Sequence, residues 1–278
     1  MLMTWGLVLF SLFIAVTLVQ IIYYLFIFRP VANFTPPVKE VSQTQPVSVV
    51  ICARDEDENL ARNLPGVLVQ HYPTTHEIIV VNDNSYDDSK YVLEELKKTF
   101  KKLSVIELAQ EAKGIRGKKF PLSIGIKEAK HEVVLLTDAD CTPATEHWMD
   151  RMQSAFTPGV EVVLGYGAYH KLPGMLNKII RWETFHTAMQ YFGFALAGMP
   201  YMGVGRNLSY RKDVFYRNKG FSNIKNEDFA VFAQDSWKVW PNFTLDYGLR
   251  WEAQIFPDPV VPPSQTAYGI FLSDPRFP

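Results

Sequence analysis

Apolar runs of strand length alternate with segments of helical periodicity between residues 46 and 140. The first run, Val47–Ala53, precedes a charged segment, 54–59, after which apolar residues recur at helical spacing at Leu60, Leu64, Val67 and Leu68. The same order recurs with strands at 78–81, 105–106 and 133–136 and with helices around 94–98 and 120–129. Strands that alternate with helices at this spacing form βαβ units. The pattern therefore predicts the α/β class, with a mainly parallel sheet flanked by helices.

The fourth strand ends abruptly in Thr137, Asp138, Ala139 and Asp140. In open α/β sheets ligands bind beyond the carboxyl ends of the strands, where both carboxylates would project. Mg²⁺ and Mn²⁺ prefer oxygen ligands and are commonly held by one or two carboxylates together with substrate phosphates. Asp138 and Asp140 are therefore the predicted ligands of Mg²⁺ or Mn²⁺, with a phosphorylated ligand completing the site. The alternative is structural, because Asp is common in turns and helix caps.

Polar residues also follow the other strands. A nucleobase or a ribose could donate hydrogen bonds to Asp83, and also to Asp55 or Glu56. Turn formation explains the presence of each of these residues at least as well. A basic segment, 113–119, places four cations around two of its residues, both glycines, which suits a diphosphate at a helix N-terminus. A solvated basic loop is the alternative. The segment lacks P-loop spacing, and no Gly-x-Gly-x-x-Gly follows the first strand, so ATPase and dinucleotide-binding interpretations lose support.

The N-terminal segment from Trp5 to Phe28 is apolar and carries no charged residue. Its length spans a bilayer, and it lacks the basic start and small-residue cleavage site of a secretory signal, so residues 1–29 are predicted to be a single-pass anchor. Arg29 and Lys39 follow the span and no cation precedes it, which predicts that the rest of the chain lies in the cytoplasm, at the inner (cytoplasmic) membrane. Residues 30–45, polar and proline-rich, are predicted to be a linker.

Composition narrows the class further. A chain of 278 residues that is 47% hydrophobic can bury one substantial core, so one main domain with appendages is expected. The net charge of −1 disfavours a nucleic-acid partner. Cys52 and Cys141 are far apart and lack zinc-ligand spacing, which predicts free thiols in a reducing compartment.

Several motifs occur together in a recognisable order. They are Pro46–Ile51 with Ala53-Arg54-Asp55-Glu56, Val81-Asn82-Asp83-Asn84-Ser85, Gly117-Lys118 with Leu122, Thr137-Asp138-Ala139-Asp140, and Gly203 to Arg211. In this order, residues 46–224 resemble a family 2 glycosyltransferase, an inverting enzyme with the Rossmann-like GT-A fold. Pro121 replaces the alanine of the family's Gly-Lys-x-x-Ala-Leu segment, which a first helical turn tolerates.

The resemblance implies a metal-dependent transfer of a sugar, with inversion, from a nucleotide-diphosphate donor, expected to be of UDP type, to a saccharide or lipid-linked acceptor at the membrane. The implied donor-binding residues are Ala53, Arg54, Asp55, Glu56, Asp83, Lys118 and Asp138. The implied metal ligands are Asp138 and Asp140. The implied acceptor-side residues are Gly205, Arg206 and Asn207.

The chain departs from the family pattern after Phe221. The family continues with an acidic motif that carries the catalytic base and with Gln-x-x-Arg-Trp, whereas here Tyr247 stands in the Gln position before Arg250 and Trp251. Apolar and polar residues alternate strictly from 243 to 252, and residues from about 227 to 278 resemble a strand pair of a TonB-dependent outer-membrane receptor barrel, with a turn at 240–242. Asp228 is the candidate base. Residues 225–278 are therefore predicted to be a tail of separate origin, joined near 224–228, with glycosyl transfer impaired.

Three other interpretations remain open at this point. The chain could be an inactive donor-binding fragment, or a receptor-type outer-membrane protein identified by its tail, although the second explains only the tail. A sugar nucleotidyltransferase shares the architecture but would need a glycine-rich loop after the first strand, where this chain has Arg54 to Asn59.

Overall fold

The structure, a computed structural model, describes residues 2–35, 45–108, 118–221, 227–240 and 243–255. The described residues up to 214 form one compact unit, and those from 215 onward form another. Each unit is described by itself.

A six-stranded sheet is the centre of the first unit. Its strands are β1 (Val47–Ala53), β2 (His76–Asp83), β3 (Leu103–Leu108), β4 (Val133–Asp138), β5 (Val162–Leu164) and β6 (Leu208–Arg211), in the order β3-β2-β1-β4-β6-β5. The first four pair in parallel, whereas β6 runs antiparallel to both β4 and β5. The predicted α/β class and mainly parallel sheet are confirmed. The sequence pattern missed β5 and β6, because runs of three and four residues are too short to show a periodicity.

Helices cover both faces of this sheet. Those after the N-terminal segment are α3 (Asp57–Leu68), α4 (Ser89–Thr99), α5 (Lys119–Glu128), α6 (Trp148–Ser154), α7 (Met175–Leu196) and α8 (Lys212–Arg217). Leu60, Leu64 and Val67 of α3 are buried in the main core with Val49 of β1. On the other face, a Cβ at Gly125 of α5 would lie 2.5 Å from Val50 Cγ1, so this glycine lets α5 approach the sheet closely.

Every residue of β1 and β2 is buried, as expected for parallel strands covered on both faces. One polar network accompanies this burial at the N-terminal ends of the strands. Ser48 Oγ donates to Glu77 Oε1 at 2.7 Å, the backbone N–H of Lys130 donates to the same carboxylate oxygen at 2.6 Å, and His131 N donates to Ser48 Oγ at 3.2 Å. Burial alone would raise the pKa of Glu77, but the hydrogen bonds from Ser48 and Lys130 outweigh it and lower that pKa.

The N-terminal segment is helical throughout its described length. It comprises α1 (Leu2–Tyr23), a π-helical stretch (Tyr24–Phe28) and α2 (Arg29–Ala32). Trp5–Ala32 is the one helix of the described residues that is long and apolar enough to cross a membrane, and none of its most apolar window is buried. The helix therefore runs three residues past the predicted end of the anchor at 29. Pro30 lies in the first turn of α2, directly after the π-helical stretch.

The C-terminal end of this segment packs on α7. A Cβ at Gly193 would overlap the carbonyl oxygen of Ile27, so only glycine permits this backbone approach. Tyr23 and Phe194 meet edge to face, with ring centroids 6.0 Å apart. Residues 36–44, which make up most of the predicted linker, lie outside the described residues.

The second unit contains a β-hairpin. Strands β7 (Glu227–Trp240) and β8 (Phe243–Ile255) pair antiparallel from Glu227 opposite Ile255 to Trp240 opposite Phe243, with a register shift between Lys238 and Trp240. The predicted strand pair is confirmed. Residues 241–242 of the predicted turn, and the rest of the tail from 256, lie outside the described residues.

Candidate functional site

The carboxyl ends of β1, β2 and β4 bring the predicted site residues to one edge of the sheet. Cys52 stands opposite Asp138 in the β1–β4 register, and Ala53 stands opposite Asn82 in the β1–β2 register, with Asp83 next along the chain. Since neighbouring strands are about 4.8 Å apart, Ala53, Asp83 and Asp138 lie along a single rim.

The turn after β4 concentrates possible metal ligands. The backbone N–H of Cys141 donates to Asp138 O at 3.1 Å and closes the turn. One ligand atom from each of Asp138, Asp140 and Cys141 lies within 4.8 Å of the others. Burial, followed by the charge of Asp140, raises the pKa of the Cys141 thiol to about 11. Mg²⁺ and Mn²⁺ prefer oxygen ligands, so the carboxylates of Asp138 and Asp140 fit either ion.

Lys118 stands beside this pair of carboxylates. It immediately precedes α5, and its ammonium group forms an ion pair with Asp138 Oδ1. Partial burial alone would lower the pKa of Lys118, but the hydrogen bond and negative charge of Asp138 raise it above its ordinary value. A cation thus already contacts one predicted metal ligand, as expected where negative charge is concentrated. Residues 109–117, including the rest of the basic segment, lie outside the described residues.

Cys52 lies beneath the rim and is buried. Burial raises the pKa of its thiol to about 12, and the charge of Lys118 offsets only part of this effect. Cys52 is therefore a neutral packing residue and supplies no thiolate to the site.

The loops that follow β1 and β2 are joined into one wall. Backbone N–H groups of the first loop donate to side chains of the second: Asp55 to Ser85 Oγ at 2.9 Å, Glu56 to Ser89 Oγ at 3.2 Å and Asp57 to Asp87 Oδ2 at 2.9 Å. Asp55 and Asn84 have φ angles of +53° and +54°, a region that residues other than glycine rarely adopt. Such strain is typical of backbone held in place at a ligand site.

The predicted donor-binding residues on this wall also have structural contacts. Asp55 Oδ1 accepts a hydrogen bond from the backbone N–H of Tyr86 at 2.7 Å, and Asp55 Oδ2 lies 3.8 Å from Arg54 Nε. Glu56 Oε2 accepts from Asn59 Nδ2 at 2.5 Å. Asp55 therefore has the role in turn formation that the sequence analysis gave as an alternative. The carboxylate of Asp55 still has lone pairs that could accept hydrogen bonds from a ligand.

The predicted acceptor-side residues form a short 3₁₀ helix, Gly205–Asn207. Asn207 Oδ1 accepts from Trp148 Nε1 at 3.0 Å, and its Nδ2 donates to Tyr166 O at 3.2 Å. A Cβ at Gly165 would overlap the Asn207 side chain. Asn207 therefore ties the backbone around it together, and its amide is engaged within the protein.

Arg206 reaches a cavity beside α7. Its guanidinium lies 4.8 Å from the centre of the Tyr169 ring, and a Cβ at Gly167 would come within 2.6 Å of Arg206 Cδ. The cavity has a volume of about 130 Å³, and its polar lining side chains are Glu183, Thr184, Thr187, Tyr191 and Arg206. The sequence analysis did not identify this cavity, because its polar residues are spread among aromatic ones and form no local pattern.

Other structurally important residues were weakly indicated by the sequence or not indicated at all. Gly165 and Gly167 stand two apart, a spacing that could have suggested close backbone approach. Asn63 is buried on the apolar face of α3, where a polar residue is unexpected, and it contacts the turn that carries the carboxylates. Asp228, the candidate base, lies in β7 of the second unit, and its role stays a prediction.

The fold and site together define the class of protein. The structure resembles that of the mannosyltransferase PcManGT from Pyrobaculum calidifontis, solved in complex with GDP-Man and Mn²⁺, with a TM-score of 0.57 and 17% identity over 76% of this chain and 57% of that one. The fold is GT-A. The model of the family "Glycosyl transferase family 2" matches residues 48–216, and the chain belongs to this family. A second model, "Outer membrane beta barrel domain", matches residues 187–262 and fits the barrel resemblance of the tail.

Curated relatives extend the comparison. The poly-beta-1,6-N-acetyl-D-glucosamine synthase of Staphylococcus epidermidis is 33% identical over 260 residues, which is 92% of this chain and 60% of the relative. The probable glycosyltransferase YdaM of Bacillus subtilis strain 168 is 29% identical over 262 residues, 88% of this chain and 60% of the relative. The chain thus spans about 60% of the length of these relatives. At this coverage, both alignments necessarily extend past Asp228 into the tail.

Proposed function

We propose that this chain binds a nucleotide-diphosphate sugar and directs transfer of the sugar, with inversion, to an acceptor hydroxyl. The observation that carries the proposal is the rim itself: two carboxylates, a lysine and the joined loops stand at the carboxyl ends of three adjacent parallel strands. This is where open α/β sheets bind nucleotides. The family supports the same reaction class.

Each rim residue has a role in donor binding. Ala53, Arg54, Asp55, Glu56 and Asp83 contact the nucleoside, where carboxylates accept hydrogen bonds from base and ribose and Arg54 adds a cation. Lys118 leaves Asp138 for the diphosphate oxygens when the donor enters, because a dianionic phosphate is the stronger partner for its ammonium. A divalent cation held by Asp138 and Asp140 would neutralise charge on the departing diphosphate, and the Mn²⁺ in the PcManGT structure is consistent with it.

The cavity beside α7 is the proposed acceptor site. Hydroxyl and carboxylate groups of Thr187, Tyr191 and Glu183 suit the hydroxyls of a saccharide, and Arg206 closes one side. The Staphylococcus relative, which makes a polysaccharide, favours a saccharide acceptor over a lipid-linked one. Attack opposite the leaving group requires a base for the acceptor proton. Asp228 remains the candidate, because the alignments of the relatives continue past it.

We also propose that the N-terminal helix anchors the chain in the inner membrane, with the rim in the cytoplasm. The span is exposed and apolar, and cations follow it. α7, which packs against the end of the span, exposes Met175, Leu176, Ile179 and Trp182 beside Lys178 and Arg181. This face would rest on the membrane surface and bring the acceptor cavity close to it.

Binding and hydrolysis of nucleotide sugars test the function. The full-length chain in detergent would be screened against UDP- and GDP-linked sugars by calorimetry and by release of free nucleotide, with Mn²⁺ and with excess EDTA. Binding of at least one nucleotide sugar that requires Mn²⁺ is the expected result. Binding of none, with a folded chain verified by circular dichroism, would overturn the proposal.

An inactive donor-binding chain is the second candidate, whereas slow transfer is compatible with the first. The hairpin in the position of the family's base and Gln-x-x-Arg-Trp motifs favours the second candidate, as does the barrel-domain match over 187–262. Nucleotide-sugar binding without transfer would distinguish this candidate from the first.

A further inference from the structure

The loop that carries the predicted metal ligands is held by two buried amides, one within α3 and one just after it. Asn63 and Gln70 are 6% and 7% exposed, and they lie seven residues apart. Asn63 lies within α3, whereas Gln70 lies two residues past the last residue of this helix, Leu68. Gly66 lies between them, and a Cβ there would contact Thr142 and Pro143 at 3.6–3.7 Å, so the helix runs directly alongside the loop.

The two amides hold different parts of the loop. Asn63 Nδ2 donates to Ala139 O at 3.1 Å, and Asn63 Oδ1 accepts from Thr142 Oγ1 at 2.7 Å. Ala139 separates the two carboxylates and Thr142 follows them. The Asn63 side chain is therefore hydrogen-bonded to both sides of the Asp140 turn. Gln70 acts further along, where its Nε2 donates to Thr145 O at 3.0 Å and its Oε1 accepts from Met149 N at 3.3 Å.

We propose that Asn63 is a positioning residue for the metal and the diphosphate, an inference that rests on the proposed function. Fixing the Ala139 carbonyl fixes the direction in which the next residue, Asp140, leaves the backbone. Fixing Thr142 prevents the turn from opening on its other side. Groups that orient metal ligands without touching the metal commonly change metal affinity by about 10- to 100-fold when they are replaced.

Two variants and one matched control test this role. Asn63→Leu removes both hydrogen bonds and keeps the number and branching of side-chain heavy atoms, and Thr142→Val removes only the bond to Asn63, from an exposed position. Gln70→Leu is the control, because it removes hydrogen bonds of a similarly buried amide to the same loop without touching the Asp140 turn. The full-length chain in detergent would be titrated with Mn²⁺ in the presence of UDP, and separately of GDP, with free Mn²⁺ followed by electron paramagnetic resonance.

The expected result is a loss of Mn²⁺ affinity of at least about 10-fold for Asn63→Leu and a smaller loss for Thr142→Val. Gln70→Leu should lower the unfolding temperature as Asn63→Leu does, yet leave Mn²⁺ affinity within about two-fold of the original chain. Hydrogen exchange without ligand should quicken at residues 138–142 in the Asn63 variant alone.

Two different results would overturn different claims. Unchanged Mn²⁺ affinity in both Asn63→Leu and Thr142→Val, or an equal loss in Gln70→Leu, would refute the positioning role while leaving the proposed function intact. An unaltered chain that binds no Mn²⁺ with either UDP or GDP would refute the proposed function and, with it, this inference. If Asn63→Leu does not fold, the comparison of Mn²⁺ affinity between Thr142→Val and Gln70→Leu decides the question.

Discussion

Asp138 and Asp140 occupy different surroundings although one residue separates them. Asp138 ends a buried strand and pairs with Lys118, whereas Asp140 is exposed on the turn, where its Oδ1 accepts a hydrogen bond from Cys141 Sγ at 3.4 Å. A metal ion at this site would compete with Lys118 for Asp138 but would meet no cation paired with Asp140 among the described residues. This asymmetry makes Asp140 the cleaner position at which to test metal binding.

Asp140→Ala is expected to abolish the stimulation of UDP binding by Mn²⁺, because it removes the exposed half of the carboxylate pair. Isothermal titration of UDP with and without Mn²⁺ measures the effect. Glu146→Ala is the control, since it removes an exposed carboxylate from the same loop outside the proposed ligand pair. Mn²⁺-stimulated binding of normal size in Asp140→Ala would exclude this residue from the site.

Lys118→Met is expected to weaken UDP binding by about 10-fold, the effect of losing one charge-assisted hydrogen bond to phosphate. Because Asp138 raises the pKa of Lys118 above its ordinary 10.5, the ammonium is charged at all lower pH values and its contribution disappears only as pH rises through the raised pKa. The ratio of affinities between the original chain and the variant should therefore stay constant from pH 7 to about pH 9. Calorimetry at several pH values measures it. Lys119→Met, at the neighbouring position, is the control, and a ratio that falls across this range would contradict the assignment.

At the scale of elements, the four parallel strands were predictable and the two short antiparallel strands, β5 and β6, were not. β1, β2 and β4 are buried along nearly their whole length, so each reads as a continuous apolar run that stops at a polar residue. The position at which each apolar run ends also predicted which carboxylates lie at the rim. Asn63, Gln70 and the polar residues of α7 act through contacts distant in sequence, so no local pattern could assign them. The antiparallel pairing of β6 likewise depends on a partner more than 70 residues away.

The Ser48–Glu77 network gives a prediction for the opposite end of β1 and β2. Glu77→Gln is expected to destabilise the fold by about 1.5–3 kcal/mol at pH 7, the usual contribution of hydrogen bonds to a buried charged group. The pKa of Glu77 is lowered in the folded state, so its stabilisation is present above the ordinary value of 4.5 and is lost as pH falls through the lowered pKa. Urea unfolding of both chains should thus show a difference at pH 7 that shrinks below about pH 4.

The matched control for Glu77 is Glu95→Gln. Glu95 is an exposed carboxylate that pairs with Lys98 on the surface of α4, and exposed pairs of this kind contribute little to stability. Equal unfolding midpoints for Glu77→Gln and Glu95→Gln at pH 7 would show that the buried network contributes nothing measurable.

At the scale of the whole molecule, the chain combines the rim that is proposed to bind the donor with a C-terminal segment that resembles two different kinds of protein. The relatives align into the tail, which favours a continuous transferase, whereas the barrel-domain match and the long hairpin favour a joined segment of other origin. A two-stranded hairpin leaves both outer edges without strand partners of its own, and in barrels further strands close those edges. Donor binding depends on the first unit, but transfer also depends on a base.

We therefore predict that the chain binds its donor and transfers the sugar inefficiently. If Asp228 does not act as the base, the missing proton transfer alone should slow the reaction by about 10²–10⁴-fold. Three chains separate the possibilities: the full chain, the chain ended after Phe221, and the full chain with Asp228→Asn. Calorimetry with Mn²⁺ and a UDP-sugar should give similar affinities for all three, because the rim lies in the first unit.

Transfer to a saccharide acceptor should be equally slow in the three chains, since none would then contain a working base. Long single reads of the source DNA across codons 215–240 provide an independent test, because a junction of two coding segments near codons 224–228 is the expected result. The opposite outcome would decide the question equally clearly. An uninterrupted gene, together with rapid transfer that is lost both on truncation after Phe221 and in Asp228→Asn, would show that the hairpin carries the base and that the two units form one working enzyme.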